Sequence, residues 1–335
     1  MTRKLYVTVL VDAAEIIEED PHFEIQPEIP TTEHHVIDAL RELGHEVSVL
    51  GAVKNIGTIA STLTEQRPDL VFNLTEAFEG DRQLDKNIAA LLEMLGVPFT
   101  GAGAAGLMLC RDKRLCKELL SLHKIRVPRF FSMLPGRRIP AGKNMRYPLV
   151  VKPALEDSSE GISNASLVNN SAELQERARF MHERWQQPAI AEEYIEGREL
   201  YVSVLGNKKL TVLPPRECYF DTDGGAGPQL ATYRVKWNEQ YRKKWNIRFG
   251  FAELEPATFK NVAHVCKKVF RALQLRDYGR IDLRLTHDNK VVILEANPNP
   301  DLAYGEEVAE AAEKSGMTYE QLIDRILQIA LRRYK

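Results

Sequence analysis

Cysteine is scarce, and what there is lies apart. Cys110, Cys116, Cys218 and Cys266 are the chain's four, with no CxxC spacing and no paired histidines nearby. That excludes a disulfide framework and a thiolate zinc site, and leaves free thiols in a reducing cytosol as the expectation. Long apolar runs are missing too: no segment approaches the roughly 18 uninterrupted apolar residues of a membrane helix. The first apolar stretch, residues 5–11, stops at Asp12 and runs into acids. It reads as a strand rather than a secretory leader, and the expected setting is the cytoplasm, with no membrane partner. Charge of one sign is also absent. Lys and Arg number 45 against 47 Asp and Glu, scattered without blocks, for a net −2. Binding to nucleic acid or a membrane surface by bulk electrostatics is therefore not expected, although a local basic pocket stays open. There are no internal repeats and no low-complexity linker, and no GxGxxG follows the first strand, which counts against a dinucleotide oxidoreductase.

What is present is an ordinary globular composition, 44% hydrophobic and 27% charged, over 335 residues. That length is too great for one core and predicts two or three packed domains. The first hundred residues alternate strand and helix signals. Strands are expected at 5–11, 46–50, 70–74 and 97–99, and helices at 32–43, 56–64 and 87–95, the last ended by Gly96. Such alternation predicts a parallel α/β sheet covered by helices. From about Gly101 the pattern becomes mixed. Helices are expected at 112–123, 172–185 and 259–273. Strands are expected at 130–133, 149–152, near Ser166, at 189–194 and at 199–205, with a hairpin pairing 278–285 with 290–296. Thr318 and Gln321 form a capping box that opens a final helix.

The hairpin carries the strongest chemical signal. In Arg280-Ile-Asp282-Leu-Arg and Ile-Leu-Glu295-Ala-Asn297-Pro, residues two apart share a face. Arg280 and Asp282 point one way while Ile281 and Leu283 point into packing; Glu295 and Asn297 do the same against Leu294 and Ala296. Pairing the strands brings Asp282, Glu295 and an Asn297 amide oxygen around one point. Few, hard oxygen donors suit Mg²⁺ that takes its remaining ligands from water and phosphates. Arg280 beside them is placed to neutralise a phosphoryl or acyl-phosphate oxygen. A second element, Tyr147-Pro-Leu-Val-Val-Lys152, puts a lysine at the end of an apolar strand. The following Ser158-Ser159-Glu-Gly161 loop can turn hydroxyls and N–H groups to phosphates. A third, Glu192-Glu193-Tyr194-Ile195-Glu196-Gly197-Arg198-Glu199, offers backbone groups to a base, an apolar ring or chain to pack on it, and a carboxylate for ribose hydroxyls.

At these residues the chain resembles the ATP-grasp superfamily, and within it the D-alanine–D-alanine ligase family. The motifs run in family order over about four-fifths of the chain: Gly-Val-Pro-Phe-Thr-Gly-Ala-Gly at 96–103, Arg-Asp-Lys113, Val-Lys152-Pro, Ser158-Ser159-x-Gly161, Glu192 to Ile195, Gly-Arg-Glu199, and the Arg280-x-Asp282 and Glu295-x-Asn297 pairs. The resemblance implies a three-domain α/β architecture, with an N-terminal parallel-sheet domain over 1–100 and two ATP-grasp subdomains over 101–190 and 191–335. It implies ATP between the second and third domains, held at its phosphates by Lys113, Lys152 and Ser159, at adenine by Glu192, Glu193, Tyr194 and Ile195, and at ribose by Glu199. It implies two Mg²⁺ (or Mn²⁺) ions on Asp282, Glu295 and Asn297, with Arg280 and Ser158 as catalytic residues. The implied reaction is phosphoryl transfer from ATP to a carboxylate, then attack by an amine on the acyl phosphate. The partners would be small amino acids or short peptides, and the assembly a homodimer. In the 218–245 loop either Lys236 or Tyr233 faces the site. The rival readings are an ATP-grasp ligase of another biosynthetic pathway and an ATP-binding protein without turnover.

The chain departs from the family in three places. The usual glutamate-bearing segment after the first strand is replaced by an acidic stretch in which Glu15 is a loose candidate for the first substrate's amine. The His-Gly segment after the third strand is replaced by Asn73-Leu-Thr-Glu-Ala-Phe-Glu-Gly80. Where a Ser-Leu pair should bind the acceptor's carboxylate, the chain has Glu306-Glu307. Either this loop turns both glutamates to solvent, or the acceptor presents a cationic or polar group there instead of a carboxylate.

Overall fold

The computed structural model describes residues 3–12, 31–52, 55–140, 142, 144–156, 160–220 and 230–335. The N-terminal part folds as β1 (Tyr6–Val11), α1 (Thr32–Glu42), β2 (Glu46–Gly51), α2 (Ile56–Gln66), β3 (Leu70–Asn73) and α3 (Asp85–Leu95). Its sheet is parallel, in the order β2-β1-β3. Val7, Val9, Leu10 and Val11 are all fully buried, because a parallel strand covered on both faces needs a continuous apolar run. Residues 97–99, expected as a fourth strand, give only a single bridge between Phe99 and Val71. Pro98 accepts from Val71 but has no N–H with which to extend the ladder.

The chain continues through α4 (Ala104–Arg111), α5 (Lys113–Leu122), β4 (Phe130–Met133), β5 (Leu149–Pro153), β6 (Leu167–Val168), α6 (Ser171–Trp185) and β7 (Ala189–Glu193). These strands make an antiparallel sheet ordered β4-β7-β5-β6. Leu174, Ala178 and Met181 of α6 share a core with Leu149, Val151, Ala189 and Ala191. Helix α4 was not anticipated. Its interior Gly106 lowers helix propensity by about 1 kcal/mol relative to alanine, yet a Cβ there would lie 3.0 Å from the Gln274 carbonyl oxygen. The glycine serves close packing.

The last part comprises β8 (Arg198–Gly206), β9 (Leu210–Val212), β10 (Arg216–Tyr219), α7 (Tyr233–Trp237), α8 (Glu239–Lys244), β11 (Arg248–Phe251), α9 (Pro256–Ala272), β12 (Tyr278–Leu285), β13 (Val291–Asn297), α10 (Glu307–Lys314) and α11 (Tyr319–Arg333). Six strands form a second antiparallel sheet, β11-β10-β8-β12-β13, with β9 on β8. Helix α9 covers one face: Val262, Cys266, Val269 and Phe270 pack with Ile281, Leu283 and Ile293. The capping box at Thr318 and Gln321 opens α11 as expected. That helix returns to the N-terminal sheet, where Ile323, Ile326 and Leu327 join a core with Val7, Val9 and Leu40. Full burial of each such side chain contributes roughly 1.5–3 kcal/mol. Among the described residues no helix is long and apolar enough to cross a membrane.

Candidate active site

The β12–β13 hairpin sets the centre of the site. Its register pairs Arg280 with Asn297 and Asp282 with Glu295, then shifts so that Leu283 pairs with Ile293. The extra residue is Leu294. A bulge of this kind changes which way its residue points, so Leu294 lines a cavity beside Glu295 instead of joining the core with Ala296. Arg280 forks onto Asp282, Nε to Oδ1 at 2.8 Å and Nη2 to Oδ2 at 3.1 Å, and its Nη1 reaches Glu307 Oε2 at 2.9 Å. Burial works against the guanidinium's charge, but Asp282 and Glu307 outweigh it and hold Arg280 cationic. Asn297 keeps its amide oxygen fixed by accepting from the Asn299 N–H at 3.0 Å.

Lysines from two other elements meet this hairpin. Lys113, at the start of α5, lies 3.4 Å from Glu295 Oε1 and donates to the Glu156 carbonyl. One turn on, Lys117 donates to the Leu294 carbonyl and pairs with Glu192 at 3.2 Å, while Lys152 from β5 holds the other Glu192 oxygen at 3.0 Å. Burial pushes the Lys117 ammonium down and Glu192 pulls it back. For Glu295, burial raises the carboxyl, but Lys113, Lys152, Lys236 and Lys117 together bring it down to about 2.

A narrow cavity of about 80 Å³ lies between the two antiparallel sheets and is lined by Lys152, Tyr194, Ile195, Glu199, Lys236 and Glu295, among others. Strand β7 is central in its sheet, so Glu193 and Tyr194 already donate their N–H groups to the Arg129 and Pro148 carbonyls. Beyond them the chain leaves the sheet. Glu193 turns its carboxylate to the Arg146 N–H at 2.8 Å. Glu199 accepts from Arg284 at 2.6 Å and from the Tyr201 hydroxyl at 3.0 Å.

Lys236, on α7, lines this cavity and a second, larger one of about 1080 Å³ that extends to the N-terminal part. Arg280, Asn297, Asp301, Glu306, Glu307 and the exposed Tyr233 also line the larger space. Glu306 caps α10 from an extended conformation and Glu307 is its first residue. Neither is simply turned to solvent: Glu307 is held by Arg280, and Glu306 is half-buried in the cavity wall. Burial, then Glu307 and Asp301, raise the Glu306 carboxyl to about 7 against the pull of Arg280 and Arg216. Because the folded group binds its proton more tightly than the unfolded one, stability falls as pH rises from about 4.5 to 7. Glu306→Gln should therefore gain roughly 1–2 kcal/mol at pH 8, after allowance for cavity water, and most of that gain should be gone at pH 5. Urea unfolding at both pH values checks this; equal effects at the two would refute it.

Glu15, Ser158 and Ser159 lie outside the described residues. The other expected site residues line one or both of the two cavities, except Lys113, which lies behind Glu295. Sequence reasoning missed Lys117, which repeats Lys113 one helical turn later. It also passed over Arg284, two residues beyond Asp282 on the same strand face, and the buried Arg111–Asp85 ion pair at the larger cavity.

As a metal site the donors are oxygen only, two carboxylates and an amide on one strand pair. Among the described residues no three His, Cys, Asp or Glu side chains converge closely enough to hold a metal alone. Burial pushes the Asp282 carboxyl up despite Arg280 and Lys236. This set fits Mg²⁺ that takes further ligands from phosphate.

The family model described as D-ala D-ala ligase C-terminus matches residues 139–328. The chain is 34% identical over 304 residues to the uncharacterized protein y4sG of Sinorhizobium fredii, covering 89% of this chain and 87% of that one. It is 28% identical over 294 residues to the D-alanine–D-alanine ligase of Aquifex aeolicus, covering 87% and 92%. Its fold matches the crystal structure of the Bacillus anthracis D-alanine–D-alanine ligase complexed with ATP, at a TM-score of 0.72 and 18% identity, covering 98% of both chains.

Proposed function

Because the chain belongs to the D-alanine–D-alanine ligase family, we propose that it is an ATP-dependent, ADP-forming ligase that joins a carboxylate to an amine through an acyl phosphate. The observation that carries this reading is Lys113 at 3.4 Å from Glu295, in a cavity that Glu295 lines together with Lys152, Lys236 and, on the paired strand, Asp282. Such a cluster suits a triphosphate, and little covalent work remains for the protein beyond positioning and charge neutralisation.

In this reading Tyr194, Ile195 and Glu199 bind the nucleoside in the narrow cavity, with Arg284 holding the Glu199 carboxylate in place. Lys113 and Lys152 hold phosphates, and Lys117 fixes Glu192 so that Lys152 keeps one position. Asp282, Glu295 and Asn297 would hold Mg²⁺, which when bound neutralises phosphate charge and aligns the transferred group. Arg280 reaches over the boundary of the two cavities, where negative charge grows on the carboxyl under attack. Lys236 shields the phosphates from the larger cavity, in which the carboxylate and amine substrates lie. The same reading extends to small amino-acid or peptide substrates and to a homodimer acting in the cytoplasm.

The test is release of ADP and phosphate from Mg·ATP across a panel of D- and L-amino acids, amines and short peptides, with product masses measured. ADP release that needs both an acid and an amine, with a product of their summed mass less water, is expected. Nucleotide binding without stimulated turnover, or AMP as the product, would overturn it.

A further inference from the structure

The charge at the start of α10 settles what kind of group can dock there. A helix N-terminus with free N–H groups favours an anion. Here, however, Glu306, Glu307 and Glu310 occupy the cap and first turn. Of the cations nearest this wall, Arg280 is bound to Asp282 and Glu307, and Arg216 pairs with Glu310 at 3.0 Å although its Nε is left without a hydrogen bond; Lys236 lines the same cavity from α7. Among the described residues the Glu306 side chain forms no ion pair and no hydrogen bond, although it lines the cavity that Arg280 and Asn297 share. Asp301, on the same loop, is tied to Thr32 and to the Ala303 N–H, and this holds the loop in place. A ligand carboxylate docked against Glu306 would meet a carboxylate that no cation among the described residues contacts, while a ligand cation would give Glu306 the direct partner that Glu307 and Glu310 already have.

Resting on the ligase reading above, we propose that the acceptor amine carries a second cationic group, an ammonium or guanidinium, that docks on Glu306, and that acceptors ending in a carboxylate at this position are rejected. Glu306 is then the specificity-determining residue of the acceptor half of the cavity, and Glu307 serves Arg280 instead of the ligand.

The test is a calorimetric titration of the protein saturated with Mg·ADP, using 1,3-diaminopropane, β-alanine and D-alanine. The first two span nearly the same length and differ in the charge of the far end. The diamine should bind at least about tenfold more tightly than either amino acid, and Glu306→Gln should erase that preference while leaving Mg·ADP affinity unchanged. Glu306→Lys should favour β-alanine. Amino acids binding as well as the diamine, no binding by any of the three, or a diamine preference that survives in Glu306→Gln overturns the inference with the ligase reading intact. Failure of Mg·ADP and Mg·ATP to bind would overturn both.

Discussion

An Arg280→Ala variant is expected to lose about 10²–10³-fold in kcat/KM and roughly 3–5 kcal/mol of stability. Arg280 is the shared counter-charge of two carboxylates, with Asp282 and Glu307 both bound to one guanidinium and the side chain almost entirely buried. Removing it leaves two buried anions facing each other, which is the costly way to break a buried ion pair. The rate should fall because the same guanidinium faces the cavity where charge develops on the attacked carboxyl. Lysine separates the two effects. Arg280→Lys keeps a charge near both acids and should recover most of the stability, but it cannot form the fork onto Asp282 and should recover little of the rate. Urea unfolding and steady-state ADP release would be measured on both variants. If Arg280→Lys restores both, or Arg280→Ala keeps full activity per folded molecule, Arg280 is structural only.

Glu295→Gln carries a comparable expectation by another route. Lys113, Lys152, Lys236 and Lys117 hold the Glu295 carboxyl down at about 2 against burial. A group depressed on folding contributes stability that is present above its unfolded pKa, near 4.5, and lost as pH falls through the folded value. Replacing it with glutamine should therefore cost about 2–3 kcal/mol at pH 7, and the difference from wild type should shrink progressively below pH 4.5. Activity should drop about 10²–10³-fold, with saturation requiring more Mg²⁺, because one of two carboxylate donors is gone. Unfolding curves at pH 7 and pH 4 and a Mg²⁺ titration of ADP release check both parts. An unchanged Mg²⁺ requirement would remove Glu295 from the metal site.

How much of this was legible depended on whether partners lay near one another in the chain. The hairpin was readable because polar residues recur every second position inside apolar strands, so Arg280, Asp282, Glu295 and Asn297 declared their shared face before any pairing was known. The bulge at Leu294 was not readable: a single extra residue leaves no trace in a short apolar run. Lys117 belongs to an amphipathic helix, where a lysine ordinarily extends its end to water; its partner Glu192 is remote in sequence and its burial follows from packing alone. Strands β9, β10 and β11 have only three or four residues each, too few to show a period. Helix α10 buries Val308, Ala309, Ala311 and Ala312, a face mostly of alanine that does not stand out against its glutamates. The Glu306–Glu307 pair was visible as an oddity, and what the fold added is that the two do different things.

The β4-β7-β5-β6 sheet and α6 keep a core of their own, while the parallel sheet and the larger antiparallel sheet share theirs through α11 and α9. The molecule thus has a small body with its own core beside a larger one. The seam between them carries charged groups such as the Lys117–Glu192 pair and the lysine-lined narrow cavity. Swinging the small body outward would wet those groups without exposing either core. A nucleotide held in that seam would gain a way out by such a swing, while the β12–β13 hairpin would stay packed against α9.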